Sequence, residues 1–253
     1  MRSARAPACG RPQVAIEAAE RPNRMQFVRR PENEAEAALY AIALVGLAVG
    51  LVFGLWPALD LAVSGLFYDE AQRNWPWTRD PVLMAIRDFN AFTTRAIIAA
   101  AIIAFVFAVA GGRSFTFMSA RVTALLLATL IAAPGLIANA VLKSHWGRPR
   151  PIEVSAFGGS LEFVPWFSPF GGCDSNCSFV SGEAASAFSL LAIAIILPQR
   201  YRVPAVAAAI VYGLVVGLMR VAMGGHFLSD ILFAGVFTAL AIWVLHGAIF
   251  RWR

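Results

Sequence analysis

Charge is scarce in this sequence. Asp, Glu, Lys and Arg make up 14% of its 253 residues, where a soluble domain carries about a quarter. With 59% of the chain hydrophobic, a soluble globular domain gives way to a membrane protein as the first reading. Acid is scarcer still in places: residues 111–121 and 198–204 are basic and contain no Asp or Glu. Cysteine is limited to Cys9, Cys173 and Cys177. A thiolate metal site needs more ligands, and neither His nor a further Cys lies near the pair in "CDSNC". A Cys173–Cys177 disulfide and free thiols both stay open. Residues 1–36 lack a long apolar run, which argues against a cleaved signal peptide. Rich in Arg, Ala, Pro and Glu, they read as a disordered cytoplasmic tail, with Met25 as an alternative start. A net charge of +6 would suggest nucleic acid in a soluble protein. Here the arginines read as topology determinants, and no nucleic-acid partner is expected.

Long apolar runs are what the chain has in quantity. They cover residues 38–56, 95–110, 122–142, 184–197, 203–219 and 231–250. A span needs about 20 residues, and polar neighbours such as Thr93, Thr94 and Ser181 extend the two short runs. The expected fold is all-α: a polytopic membrane domain of six transmembrane helices over residues 37–253. Gly46, Gly50 and Gly54 repeat at four-residue spacing, as do Gly213 and Gly217, a pattern that lets helices approach closely in lipid. With the N-terminus inside, the arginines of the tail, Arg113, Arg121, Arg200, Arg202, Arg251 and Arg253 fall on the inner side. That side then holds more positive charge than the outer one, where Arg73, Arg79, Arg87, Arg95, Lys143, Arg148, Arg150 and Arg220 share their loops with acids. Both termini are then cytoplasmic.

This topology puts three unusual stretches on the outer face. In "RVAMGGHFLSD", His226 and Asp230 are four residues apart, so on a helix Asp230 can hold one imidazole nitrogen and leave the other as base or nucleophile. An interfacial hydrogen bond is the plainer explanation of that pair alone. In "KSHWGRPRP", Lys143, Arg148 and Arg150 crowd the end of a span, where they either snorkel to headgroups or hold an anion. In "SFVSGEA", Ser181 and Gly182 open a helix; Ser181 is a natural N-cap, and the helix start offers amides and a dipole to an anion.

Taken together, Lys143-x6-Arg150-Pro151, Ser181-Gly182 and Arg220-x5-His226-x3-Asp230 closely resemble the three-part signature of the type 2 phosphatidic acid phosphatase superfamily, over roughly residues 38–250. The resemblance implies that His226 is the nucleophile forming a phosphohistidine and that Asp230 orients it. Lys143, Arg150 and Arg220 hold the phosphoryl oxygens with Ser181 and the Gly182 amide. No metal or other cofactor is implied. The chain departs from the signature at Glu183, which stands where the family usually has a leaving-group-protonating His. Glu183 is expected to be a working acid or a substrate-orienting group, with His145 as a substitute acid.

The resemblance further implies a bacterial inner-membrane enzyme whose site faces the periplasm and whose partners are the bilayer and a membrane lipid phosphate. The run "CDSNCSFVSGE" is similar to lipid A phosphatases of the 4′ type. A polyprenyl pyrophosphate or phosphatidylglycerol phosphate phosphatase is the enzymatic alternative. An inactive lipid-phosphate-binding protein, disabled by Glu183, is the non-enzymatic one. Between residues 152 and 180, Phe157, Phe163, Trp166, Phe167 and Phe170 suit either a flap over the substrate or an interfacial anchor.

Overall fold

The computed structural model describes residues 32–110 and 119–251. The expected tail up to residue 31, Cys9 and most of the inner loop 111–121 lie outside the described residues. Helix α1 spans Glu32–Leu55, so the last residues assigned to the tail are helical. A short helix α2, Ala58–Gly65, follows Pro57. Helix α3, Pro81–Val109, starts well before the apolar run that signals it, because Asp80 caps it by accepting from the amides of Val82 and Leu83 at 2.9 and 3.0 Å, with Pro81 at the first position. Its first half is therefore polar, carrying Arg87, Asp88, Asn90, Thr93, Thr94 and Arg95.

The third apolar run is one continuous span built from α4, Ala120–Leu130, a widened helical stretch Ile131–Leu142, and the short α5, Lys143–His145. Pro134 lies inside the widened stretch; it lacks an N–H and its ring clashes with the carbonyl four residues back, which the looser winding relieves. Helices α6, Gly182–Phe188, and α7, Leu191–Ala194, form the fourth run. Helices α8, Gln199–Ala222, and α9, Leu228–Phe250, complete the bundle. The described residues hold no β-strand beyond isolated bridges.

Five described helices are long and apolar enough to cross a membrane, whereas the fourth run yields a shorter helix, Gly182–Ala194. The reason lies at Ser189: its hydroxyl donates to the Ala185 carbonyl at 2.8 Å, and the next turn tightens to bonds from Leu190 to Ala187 and from Ala192 to Ser189. This broken helix is central. Ala184, Ala185, Ala187 and Phe188 are buried, packed by α8, α9, α3 and the widened stretch. The close packing anticipated from the glycine spacing is present: a Cβ at Gly213 would sit 2.3 Å from the Phe188 ring, and one at Gly217 2.0 Å from Ile231 Cγ2. Leu44, Leu47 and Leu51 of α1 remain exposed, as side chains that meet lipid do.

Two ends of the bundle are distinct. At one, the Trp243 indole of α9 donates to the Ala35 carbonyl of α1 at 2.9 Å, and Arg202 of α8 pairs with Glu34 at 3.8 Å. At the other, the Ile152 amide donates to the Gly224 carbonyl at 3.1 Å and the Thr78 hydroxyl to the Met223 carbonyl at 3.3 Å. All three motif stretches gather at this second end.

Candidate active site

His226 sits in the turn between α8 and α9 and is buried, 1% exposed. Its Nδ1 lies 2.7 Å from the Ser178 carbonyl. A carbonyl only accepts, so Nδ1 carries the proton and Nε2 keeps its lone pair. Burial pushes the imidazole down to about 4, against the opposing pull of Asp230, so the ring is neutral at physiological pH. Asp230 Oδ2 lies 3.8 Å from Nδ1, near enough to act on the imidazole through charge, while the Ser178 carbonyl takes the shorter contact. Asp230 also accepts from the Ser178 hydroxyl and, at 2.9 Å, from the Phe227 amide. It fixes both residues that frame the ring.

Asp230 is in turn held by Arg148, which is fully buried. Arg148 also donates to Asp60 of α2 at 2.8 Å, to the Ser229 hydroxyl at 2.8 Å and to the Val164 carbonyl at 3.0 Å. Its guanidinium lies over the Phe227 ring, 4.5 Å from the centroid. Ser229 donates twice to Asp60, from its amide at 2.9 Å and its hydroxyl at 2.6 Å. Reading Arg148 with Lys143 and Arg150 as a cation that snorkels or holds an anion is thus overturned: its donors are spent inside the protein. Sequence reasoning also missed Asp60, Ser178 and Ser229. Only Asp60 left a signal, as an acid inside a short apolar helix, which is rarely tolerated without a buried partner.

Lys143 ends the third span half-buried, within electrostatic reach of Arg150, Arg220, Glu183 and Asp230. Its carbonyl accepts from the Cys177 amide at 3.2 Å, and Cys177 is joined to Cys173 by a disulfide. Arg150 commits Nε and one terminal nitrogen to the Asn176 carbonyl, at 3.0 and 2.6 Å, so the bridged loop orients it. Arg220 is 8% exposed and its Nε has no hydrogen-bond partner. A buried guanidinium with an unspent donor is suited to an incoming anion. Ser181 is buried and caps α6, accepting from the Ala184 amide at 3.3 Å. Gly182 permits close approach of the neighbouring span, since a Cβ there would lie 2.7 Å from Asn139 Oδ1.

Glu183 faces two arginines. Oε1 accepts from Arg87 Nε of α3 at 3.1 Å, and Oε2 lies 3.7 Å from Arg220 Nε. Asn90, one turn along α3 from Arg87, donates to the Glu183 carbonyl at 3.3 Å and to Ser186 at 3.1 Å, and accepts from Tyr212 of α8 at 3.1 Å. These bonds stitch α3, α6 and α8 together around the carboxylate. His145 is exposed and its Nδ1 turns back to the Val141 carbonyl at 2.8 Å. A cleft of about 700 Å³ opens beside Glu183, lined among others by Arg87, Arg95, Asn139, Lys143 and Gly182.

The aromatic loop divides. Phe157 packs on Tyr68 and Trp75, Phe163 on Phe227, and Trp166 on Phe233; the Phe163 ring also lies over the buried Arg148 guanidinium, 5.5 Å from it. Only Phe167 and Phe170 project, at 52% and 89% exposure. Phe157, Phe163 and Trp166 are committed to packing inside the protein, so of the five only Phe167 and Phe170 are placed to act as a flap or an anchor.

The bundle thus gathers a buried, neutral imidazole and the cations Lys143, Arg150 and Arg220 at one end, a charge arrangement suited to phosphoryl transfer. The sequence profile of the PAP2 superfamily matches residues 121–253, and the chain belongs to that superfamily; in class it is a phosphoric ester hydrolase. It is 34% identical over 202 residues to a lipid A 4′-phosphatase of Francisella tularensis subsp. novicida, covering 79% of this chain and 90% of that one. It is 47% identical over 122 residues to a lipid A 4′-phosphatase of Rhizobium leguminosarum, covering 47% of this chain and 52% of the other. The crystal structure of a transmembrane PAP2-type phosphatidylglycerolphosphate phosphatase from Bacillus subtilis has the same fold, with a TM-score of 0.51 at 19% identity over 87% of this chain and 97% of that one.

Proposed function

We propose that this chain removes the 4′-phosphate of lipid A through a phosphohistidine on His226. The observation that carries the chemistry is the His226 geometry: Nδ1 bonded to the Ser178 carbonyl, Nε2 free, and the ring buried and neutral. The lipid assignment draws on the relative aligned over 90% of its length. Nε2 attacks phosphorus while the bond from phosphorus to the sugar oxygen breaks, and that oxygen takes a proton from cleft water. A second water then attacks the phosphohistidine, releasing phosphate, returning the proton and restoring the imidazole. Lys143, Arg150 and Arg220 neutralise the equatorial oxygens in both steps. The Ser181–Gly182 turn completes the phosphate site.

Glu183 acts as a positioning residue that holds Arg87 and Arg220, in keeping with its two charge contacts. Glu183→Gln is expected to lower kcat/KM for an activated aryl phosphate about tenfold through Arg220, and for lipid A by at least as much. A loss that grows with leaving-group pKa across a series of aryl phosphates, none of which carries a sugar, would identify a proton donor instead.

The site belongs on the periplasmic side of a bacterial inner membrane, with both termini cytoplasmic. Arg200 and Arg202 lie at the opposite end of α8 from Arg220, as the positive-inside rule asks, and the Cys173–Cys177 disulfide accords with an oxidising compartment. The residues ahead of α1 serve as a cytoplasmic extension of the membrane domain that begins with that helix. The test is phosphate release by purified protein in detergent with a chelator present, against lipid A, polyprenyl pyrophosphate and phosphatidylglycerol phosphate. Release from lipid A above the other two is the expected outcome. Preference for another lipid would reassign the substrate, and binding without release would return the chain to the non-enzymatic reading.

A further inference from the structure

Arg87 belongs to none of the three motif stretches, yet the structure sets it against Glu183 in one of them. Its Nε is fixed by Glu183 at 3.1 Å. Among the described residues its two terminal nitrogens make no hydrogen bond, and its side chain is 43% exposed on the cleft wall. The cleft is large enough for more than a phosphate: about 700 Å³, within the roughly 300–1,000 Å³ typical of small-molecule sites. Its lining is mixed: Lys143, Gly182, Arg95 and Asn139 make the polar part, and Ile98, Leu130 and Pro134 the apolar part. Asn139 is exposed there. A pocket meant for acyl chains would be lined by alkyl groups, as is the separate groove of about 510 Å³ between α1, α8 and α9. Guanidinium and amide groups instead match ligand oxygens carried on a rigid ring.

We propose that Arg87 is a headgroup-recognition residue: anchored at Nε by Glu183, it presents its terminal nitrogens to oxygens of the sugar that bears the scissile phosphate. This rests on the glycolipid reading above. It also gives Glu183 a purpose that an imidazole in the same slot could not serve, because only an acceptor with full negative charge can both orient Arg87 and stand beside Arg220. Loss of the Arg87 contact removes binding to the sugar and leaves Glu183 with Arg220 as its remaining cation.

The experiment compares lipid A with p-nitrophenyl phosphate, which has no sugar, on wild type, Arg87→Ala and Arg87→Lys. Arg87→Ala is expected to lower kcat/KM for lipid A by at least about tenfold, chiefly through KM, and for the aryl phosphate by less than about threefold. Arg87→Lys, which keeps the charge but loses the fork, falls between. An equal loss on both substrates overturns the proposal by assigning Arg87 to the chemistry through Glu183 and Arg220, and no loss on either overturns it outright. Wild type that cleaves the aryl phosphate but not lipid A overturns the glycolipid reading itself, and this proposal with it, before any variant is compared.

Discussion

His226→Ala is expected to reduce phosphate release by at least about 10⁴-fold, the scale of losing a nucleophile that works as part of a unit. The protein should stay folded, which a thermal unfolding scan in detergent checks; His226→Gln serves as a second variant that can still donate to the Ser178 carbonyl. The same side chain sets two pH dependences. Activity needs the neutral ring, so kcat/KM is expected to hold level from pH 7 to about 5 and to fall as pH drops through about 4. Stability follows with a definite sign. The unfolded imidazole binds a proton at about 6.5, whereas the buried one resists until about 4. The stabilisation is therefore complete above pH 6.5 and is lost as pH falls toward 4, by about 1.4 kcal/mol per pH unit. His226→Ala should flatten that part of the stability profile. A variant that keeps turnover would remove His226 from the mechanism.

Arg148→Ala carries the largest expected cost in stability. It would leave Asp60 and Asp230, 1% and 0% exposed, buried near each other with no cation between them. Breaking a buried pair in this way costs about 3–5 kcal/mol, and Asp230 would no longer fix Ser178 and the His226 turn. Arg148→Lys should rescue little, since an ammonium cannot span both carboxylates as the planar fork does. Arg148→Met combined with Asp60→Asn should recover part of the loss, because it removes one charge with its partner. Unfolding temperature and turnover are the two readouts. An Arg148→Ala protein of normal stability that merely binds phosphate weakly would return Arg148 to the anion-holding group.

The contrast between Arg148 and Arg150 shows what the sequence made legible. Both stand in one short run, and spacing to Lys143 marks Arg150 as the motif member, but nothing in the run tells that Arg148 turns inward. That depends on Asp60, which arrives from α2 far away in the chain. His226, Asp230, Arg220, Lys143 and the Ser181–Gly182 turn are named in advance by the resemblance of their three stretches to the family signature, and the fold brings those stretches to one end of the bundle. Glu183 was legible as an anomaly and not as a solution, since its partner Arg87 lies on the polar half of α3, in front of the apolar run that signals that helix. The fourth run looked like an ordinary span. Its break at Ser189 depends on a local hydroxyl-to-carbonyl bond, and its depth on burial by four neighbouring elements, neither of which hydropathy records.

The measurement that tests the central claim most directly is mass spectrometry of lipid A after incubation with the purified protein, with fragmentation used to locate the remaining phosphate. The predicted product has lost the 4′-phosphate and retains the one at position 1, and it is absent with His226→Ala. A product that keeps the 4′-phosphate and loses the other, or lipid A left intact while a different lipid is cleaved, would contradict the account.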